Sequence, residues 1–349
     1  STELFKLAKR LDIPVVTTLL GKGAIDEHSE YCFGMLGMHG TAYANKAVLE
    51  SDLLLNIGSR FDDRIVGDTA QFAKGKTIIH VDIDAAEIGK MIHPDIVVVA
   101  DAKSFLQSMQ TDNTTAKHAA WLSTLQGYRS DFKLSYETSH GLVPQQILDE
   151  LNNQLDSQAY ITTDCGQHQM WAAQFLQVAS PDHWITTGGA GTMGFGMPAA
   201  IGAQFAHPNS QVVAVVGDGG FQMTLYELAT IAIHKLPVKV FIMNNHYLGM
   251  VRQWQELFYD NRLSGVDLIG NPDFVKLAES YGVKAMNITT TDTVSEMVAK
   301  ALAHDGPVIV NCEVVKTENV YPMIPAGRPY TDMLISAPTH KLEKPIGST

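Results

Sequence analysis

The sequence predicts an α/β protein built on two doubly wound parallel sheets. Three observations carry this reading. Short apolar runs alternate with amphipathic stretches along the chain, as strands alternate with helices in such folds. Residues 212–243 read as one strand–loop–helix–strand unit, whose two strands must be parallel and should be adjacent. The chain has 349 residues, enough for two domains.

The first block runs over residues 1–112. It opens in a helical pattern (Leu4, Leu7, Ala8, Leu11) with no strand before it. A strand normally precedes such a helix, so the chain is expected to be a fragment. Candidate strands are residues 14–17, 53–57, 77–81 and 96–99, with helical patterns over 43–50 and 85–91. Thr111-Asp112-Asn113-Thr114-Thr115 is a polar linker signal, and a helix near residues 117–128 should occupy the connection over 113–141. The second block covers 142–318, with strands expected at 159–162, 183–185, 212–216, 238–243 and 307–312 and helices at 198–205 and 224–234. In the tail, 319–349, Pro322, Pro325, Pro329 and Pro338 forbid long regular structure; the tail is expected to cover the active site.

Composition narrows the function. A net charge of −12 argues against a nucleic-acid-binding surface, and no basic run suggests a membrane-surface patch. No apolar stretch reaches the roughly 18 residues of a membrane span. Cys32, Cys165 and Cys312 show no metal spacing and cannot all pair, which points to a reducing cytosol.

The sharpest motif is Gly217-Asp218-Gly219 with Asn245 27 residues after the aspartate. Each stands at the end of an apolar strand, where open α/β sheets bind ligands. Mg²⁺ takes a carboxylate, an amide or backbone oxygen and substrate phosphates, and glycines let the backbone approach a diphosphate at a helix N-terminus. An Asp-Gly turn and an Asn turn are ordinary in themselves; strand, spacing and asparagine pair together indicate a thiamine-diphosphate site.

Other motifs read less sharply. Arg60 and Arg64 follow a strand and suit a bound diphosphate, yet a surface salt-bridge cluster with Asp62 and Asp63 reads equally well. Asp82 could take ribose hydroxyls or cap a helix before Ala85. His39, in Leu36-Gly37-Met38-His39-Gly40, reads as structural rather than catalytic. The glycine-rich loop over 188–196 suggests backbone packed on a cofactor. Cys165 lacks a paired base and is not read as a nucleophile. Met250 and Trp254 share a helix face close to Asn245, which favours lining a substrate pocket over core packing.

Taken together, residues 35–40, 58–64, 166–171, 191–196, the 217–245 unit and 249–254 resemble the catalytic subunit of acetohydroxyacid (acetolactate) synthase over nearly the whole chain. The resemblance implies most of a central FAD-binding domain and a complete diphosphate-binding domain, without the pyrimidine-binding domain and its glutamate, so the chain alone should be inactive. It implies Mg²⁺ held by Asp218, Asn245 and the carbonyl of Tyr247. Tyr247 departs from the residues common there, but only its main chain would be needed. Thiamine diphosphate would meet Gly166, Gln167, His168, Met193, Gly217, Gly219, Gly220, Gly249 and Met250, with Met193, Met250 and Trp254 acting in catalysis and Trp254 favouring 2-ketobutyrate as acceptor. FAD, a structural cofactor in the family, would meet Thr18, Leu19, Leu36, Gly37, Met38, His39, Gly58, Arg60, Asp62, Arg64, Ile65, Asp82, Ile83, Asp101 and Ala102.

The implied reaction is a carboligation: pyruvate is decarboxylated and its two-carbon unit joins pyruvate or 2-ketobutyrate, toward valine, leucine and isoleucine. Implied partners are those 2-ketoacids, a homodimer or homotetramer and a small regulatory subunit, with no nucleic acid and no membrane. A bacterial cytoplasm is the expected location, with a plastid or other organelle left open. Pyruvate oxidase, glyoxylate carboligase and a non-catalytic assembly module are the competing readings.

Overall fold

A computed structural model describes residues 1–110 and 117–337. The linker signal at residues 111–115 and Pro338 lie outside them. The chain divides into two compact units. One comprises Ser1–Leu134 with the chain from Tyr321 onward, the other Ser135–Val320.

The described residues of the first unit hold five strands: β1 (Val15–Thr17), β2 (Cys32–Met35), β3 (Leu53–Ile57), β4 (Thr77–Asp82) and β5 (Ile96–Val99). β1 pairs with β2, and β3, β4 and β5 form a second parallel sheet. Four of these strands stand where the apolar runs place them. β2 escapes notice because it is short and interrupted by Gly34 at a φ of 78°. The helical pattern over residues 85–91 is not a helix. The Asp84 carboxylate accepts the Ala86 N–H at 2.9 Å, and Gly89 is left-handed at a φ of 79°, so the stretch becomes successive turns. Helix Ala119–Asp131 buries Leu122 and Leu125 against Phe33 and Ala47, and the Arg129 guanidinium lies 4.5 Å from the centroid of the Phe33 ring. The chain after Val320 packs in this unit as well. Ile324 N–H donates to the Met38 carbonyl at 2.8 Å, and the Tyr330 ring meets Phe72 edge-on while its hydroxyl donates to the Ile65 carbonyl. Among its described residues the regular structure amounts to one short turn of 3₁₀ helix, Tyr330–Asp332, and an isolated antiparallel bridge between Met323 and Leu334, in keeping with the prolines.

The second unit is one six-stranded, all-parallel sheet. Its strands are β6 (Tyr160–Thr163), β7 (Trp184–Thr186), β8 (Val212–Gly217), β9 (Lys239–Asn244), β10 (Lys284–Ile288) and β11 (Val308–Glu313), in the order β10-β11-β9-β8-β6-β7. β8 and β9 are adjacent and parallel, as the strand–helix–strand unit demands. Their residues are buried on both faces, the signature of a sheet covered by helices. β10 was not anticipated. It lies at the sheet edge, and exposed Lys284 and Asn287 interrupt the apolar run. The expected helix over 224–234 is a 3₁₀ turn, Leu225–Glu227, followed by helix Leu228–His234, and a separate helix, Asp218–Met223, begins on the aspartate itself. Phe221 from that helix meets Phe274 edge-to-face at 5.4 Å in a core shared with Ala200, Leu228 and Ile231.

This strand order fixes where a ligand can bind. β6 connects outward to β7 at one edge, whereas β8 connects to β9 on the other side. The carboxyl ends of neighbouring β6 and β8 therefore border the point where the winding reverses, which leaves a crevice there. Among the described residues no helix is long and apolar enough to cross a membrane.

Candidate functional site

Three helices start at the carboxyl ends of β6, β8 and β9: Gln167–Phe175, Asp218–Met223 and Gly249–Phe258. None has a side-chain hydrogen bond at its N-cap. The first N–H groups of a helix have no intrahelical partner and carry its positive end, so three uncapped starts at one sheet edge suit an anion. Two of the N-caps are glycines, Gly166 and Gly217, and the room beside both is taken by the His168 ring. A Cβ at Gly217 would lie 2.9 Å from its Nδ1, and one at Gly166 would lie 2.8 Å from the same atom.

Asp218 is the first residue of its helix and is buried. Asn271 Nδ2 donates to its Oδ2 at 2.6 Å and to Asn244 Oδ1 at 3.0 Å. Burial pushes the Asp218 carboxyl above the usual carboxylate range, opposed chiefly by the Asn271 hydrogen bond. A carboxylate desolvated in this way, with amide partners, gains from a cation. Asn245 Nδ2 donates to Gln167 Oε1 at 3.2 Å, and Asn245 Oδ1 accepts the Tyr247 N–H at 3.0 Å. Tyr247 faces Asp267 in an antiparallel bridge whose hydrogen bonds are made by its neighbours, His246 C=O with Leu268 N–H and Leu248 N–H with Val266 C=O. The Tyr247 carbonyl therefore points away from that ribbon. The donor set of carboxylate, amide and main-chain carbonyl fits Mg²⁺.

The β6 loop carries a second buried group. Asp164 is fully buried; its Oδ1 bonds His168 Nε2, and its Oδ2 accepts the Gly194 N–H at 2.9 Å. One carboxylate thus orients an imidazole and ties down the glycine-rich loop. Met193 precedes Gly194, and its methyl carbon would lie 3.5 Å from a Cβ at Gly219. A Cβ at Gly220 would lie 2.1 Å from Asp164 Oδ2, and one at Gly249 2.1 Å from Gln167 Oε1, so both glycines are required by close packing.

Helix Gly249–Phe258 carries Met250 and Trp254 one turn apart, and the Trp254 ring meets Phe258 at 5.4 Å. Its opposite face anchors the chain after β11. Buried Gln253 accepts the Val320 N–H and the Gln167 Nε2 proton, both at 2.8 Å, and buried Arg252 donates to the Glu318 carbonyl at 2.9 Å and to Asn319.

In the first unit, every residue expected to meet FAD lies at or past the carboxyl end of a strand. Thr18 and Leu19 follow β1; Leu36, Gly37, Met38 and His39 follow β2. Gly58, Arg60, Asp62, Arg64 and Ile65 follow β3, Asp82 ends β4 and Ile83 follows it, and Asp101 and Ala102 follow β5. Gly37 and Asn45 exchange two hydrogen bonds of 2.8 and 3.0 Å, and a Cβ on Gly37 would strike the Arg64 carbonyl at 2.6 Å, so this loop is held tightly against the next. Gly58 is left-handed, with open space where a Cβ would stand. Such a row of strand ends fits a dinucleotide. Arg60 lies 3.5 Å from Asp62 and Arg64 lies 3.8 Å from Asp63, pairs at the surface that contribute little energy. Asp62 and Asp101 cap short helices through the Arg64 and Ser104 N–H groups. Asp82 accepts the Asp84 N–H and caps no helix.

His39 makes a pH prediction. Burial, then the charge of Arg64, pushes its imidazole down to about 4. The unfolded chain then binds this proton first, so His39 favours the fold above about pH 6.5 and that support is lost as pH falls toward 4. Acidification from pH 7 to 5 should cost the first unit about 2 kcal/mol from this group. Urea midpoints at both pH values should show a smaller drop for His39→Gln than for the parent. Parallel drops would contradict the assignment.

Asn271 is not singled out by the sequence, and Asn244, Asp164 and Gln253 enter there only as members of motifs, with no role of their own. Asn271 sits in Gly270-Asn271-Pro272-Asp273, where Asp273 caps the next helix through the Val275 and Lys276 N–H groups; the segment looks like a turn and nothing more. The four-residue spacing of Asp164 and His168 across a helix start was the one available signal.

Comparison with known proteins agrees with this geometry. Residues 1–109 match the central domain of thiamine pyrophosphate enzymes, and residues 164–312 match their C-terminal TPP-binding domain. The chain is 47% identical over 330 residues to an acetolactate synthase large subunit from Porphyra purpurea, covering 92% of this chain and 56% of that protein. Proteins of the same name from Parasynechococcus marenigrum and Lactococcus lactis are 46% and 42% identical, covering 98% and 96% of this chain and 56% and 58% of theirs. The chain thus spans little more than half the length of these relatives. With both units matched and the uncapped helix starts lying inside the TPP-binding segment, the chain belongs to the thiamine pyrophosphate enzyme family and carries its central and C-terminal domains.

Proposed function

We propose that the whole protein is an acetolactate synthase catalytic subunit. It decarboxylates pyruvate and joins the two-carbon unit to a second pyruvate or to 2-ketobutyrate, giving 2-acetolactate or 2-aceto-2-hydroxybutyrate. The observation that carries this reading is the meeting of three uncapped helix starts with the buried Asp218 at adjacent parallel strands. The names and identities of the relatives support the choice of reaction.

When bound, thiamine diphosphate supplies an electron sink for the decarboxylation. The chain supplies the surroundings. Asp218, Asn245 and the Tyr247 carbonyl would hold Mg²⁺; Gly166, Gln167, His168, Gly217, Gly219, Gly220 and Gly249 would line the diphosphate. Met193 and Met250 would offer an apolar support, and Trp254 would bound the acceptor pocket. Met193 and Met250 bring no titratable group, so their contribution is positioning and exclusion of water. In the first unit the strand-end residues from Thr18 to Ala102 would hold FAD as a structural cofactor. A homodimer or homotetramer with a small regulatory subunit is the proposed assembly, in keeping with relatives named large subunits.

Product analysis tests the reaction. The intact protein, given pyruvate and 2-ketobutyrate together, should form both acetohydroxyacids; flavin reduction by pyruvate without carboligation would instead indicate an oxidase. Trp254→Leu tests the acceptor pocket. One methyl in an apolar pocket is worth roughly 1–3 kcal/mol. The variant should therefore lose at least about tenfold of its preference for 2-ketobutyrate while total carboligation survives, because no proton transfer or metal contact rests on the indole. An unchanged product ratio would return Trp254 to the core beside Phe258.

A further inference from the structure

Asn271 lies outside the motifs at residues 217–219 and 244–245, in the loop before helix Phe274–Ser280, yet its amide is the hub of the hydrogen bonds around Asp218. Nδ2 donates to Asp218 Oδ2 at 2.6 Å and to Asn244 Oδ1 at 3.0 Å, while Oδ1 accepts from Gln222 Nε2 at 2.7 Å. These three bonds admit one orientation of the amide. Turned over, it would set an oxygen against the carboxylate and an NH₂ against another NH₂. Asn244 is fixed in turn, donating to Asn311 Oδ1 at 3.1 Å and Glu313 Oε1 at 2.9 Å, and Asn311 donates to Asn287 Oδ1 at 2.9 Å. A row of amides thus runs from β10 through β11 and the end of β9 to the carboxylate after β8. The buried groups in this row have partners, so it behaves as a rigid bracket.

We infer that Asn271 is a positioning residue for the cation ligand Asp218: it engages Oδ2, fixes the plane of the carboxylate and leaves Oδ1 as the oxygen offered to Mg²⁺. The inference rests on the proposed role of Asp218. Outer hydrogen bonds of this kind commonly set 10–100-fold in metal affinity. Gln222 supports the role from one step further out, because its amide NH₂ is what keeps the Asn271 oxygen turned away from Asp218.

The test is a Mg²⁺ titration of the intact protein at fixed thiamine diphosphate, followed by tryptophan fluorescence. It is run beside a thiamine diphosphate titration at saturating Mg²⁺. Asn271→Leu, nearly isosteric and without a donor, should raise the Mg²⁺ half-saturation about tenfold or more, and leave the diphosphate affinity at saturating Mg²⁺ within about threefold. Gln222→Met should shift Mg²⁺ in the same direction by a smaller factor, and stands as the test if Asn271→Leu does not fold. With Mn²⁺ in place of Mg²⁺, the electron paramagnetic resonance spectrum of bound Mn²⁺ should broaden in either variant, a change that loosened packing elsewhere would not cause. Unchanged Mg²⁺ half-saturation in folded Asn271→Leu, or in Gln222→Met if that alone folds, would overturn the inference. Asp218→Ala separates the two claims. If it too leaves Mg²⁺ dependence intact, the metal site itself is misassigned; if it abolishes the dependence while Asn271→Leu does not alter it, only the bracket is wrong.

Discussion

Asp218→Ala should abolish Mg²⁺-dependent binding of thiamine diphosphate, by a factor of at least about 100. The aspartate is the one carboxylate among the three proposed cation ligands. Its loss removes a charged donor and leaves the phosphates facing a cation held by an amide and a carbonyl alone. The same substitution should not unfold the protein. Burial raises the Asp218 carboxyl above its ordinary range, so its ionised form costs stability at neutral pH, and that cost disappears with the side chain. The thermal midpoint without cofactor should therefore hold or rise while binding vanishes, the pattern of a site kept for function at the expense of stability. Calorimetry giving parental affinity for Mg²⁺ and thiamine diphosphate would remove Asp218 from the site.

Gly220→Ala should be the most damaging single methyl in the second unit. Gly220 lies in helix Asp218–Met223, where alanine is otherwise favoured by about 1 kcal/mol. Against that gain, the added carbon would sit 2.1 Å from Asp164 Oδ2 and 2.9 Å from its Cγ. Asp164 cannot yield without releasing both His168 and the Gly194 N–H. Overpacking and a disrupted charged hydrogen bond together outweigh the helix preference, for a net loss of about 3 kcal/mol. Gly202, in helix Gly196–Ala206, is the matched control: nothing lies within 4 Å of its added carbon. There the same change should stabilise by about 0.5–1 kcal/mol. Urea unfolding of the two variants should move in opposite directions, and equal shifts would mean that the close approach at Gly220 is absorbed by movement.

The parts of this protein legible in its sequence are those written in local periodicity. The strands at 53–57, 77–82, 212–217 and 239–244 are apolar runs of the length a buried parallel strand needs, and the structure places them within a residue of expectation. Residues 85–91 mislead for an equally local reason. Their spacing is helical, but Asp84 turns the backbone at their start and Gly89 reverses it. The competing hydrogen bond from a short acidic side chain decides the matter, and periodicity does not register it. β10 is not legible because an edge strand can expose residues such as Lys284 and Asn287 and need not be apolar throughout.

By itself the sequence determined the alternating α/β plan, the pairing of Asp218 with Asn245 across neighbouring parallel strands, and, through resemblance, the family. All of these depend on residues close together in the chain or on motifs whose spacing is tied to one strand–helix–strand unit. Tertiary structure alone decided what surrounds those residues. Gly249 must lack a side chain because Gln167, 82 residues earlier, occupies the space; Asp218 is gripped by Asn271, 53 residues later; and Gln253 holds Val320 from 67 residues away. A hydrogen bond or a steric limit across such distances leaves no periodic trace, because the winding of the sheet, and not the spacing along the chain, brings the partners together.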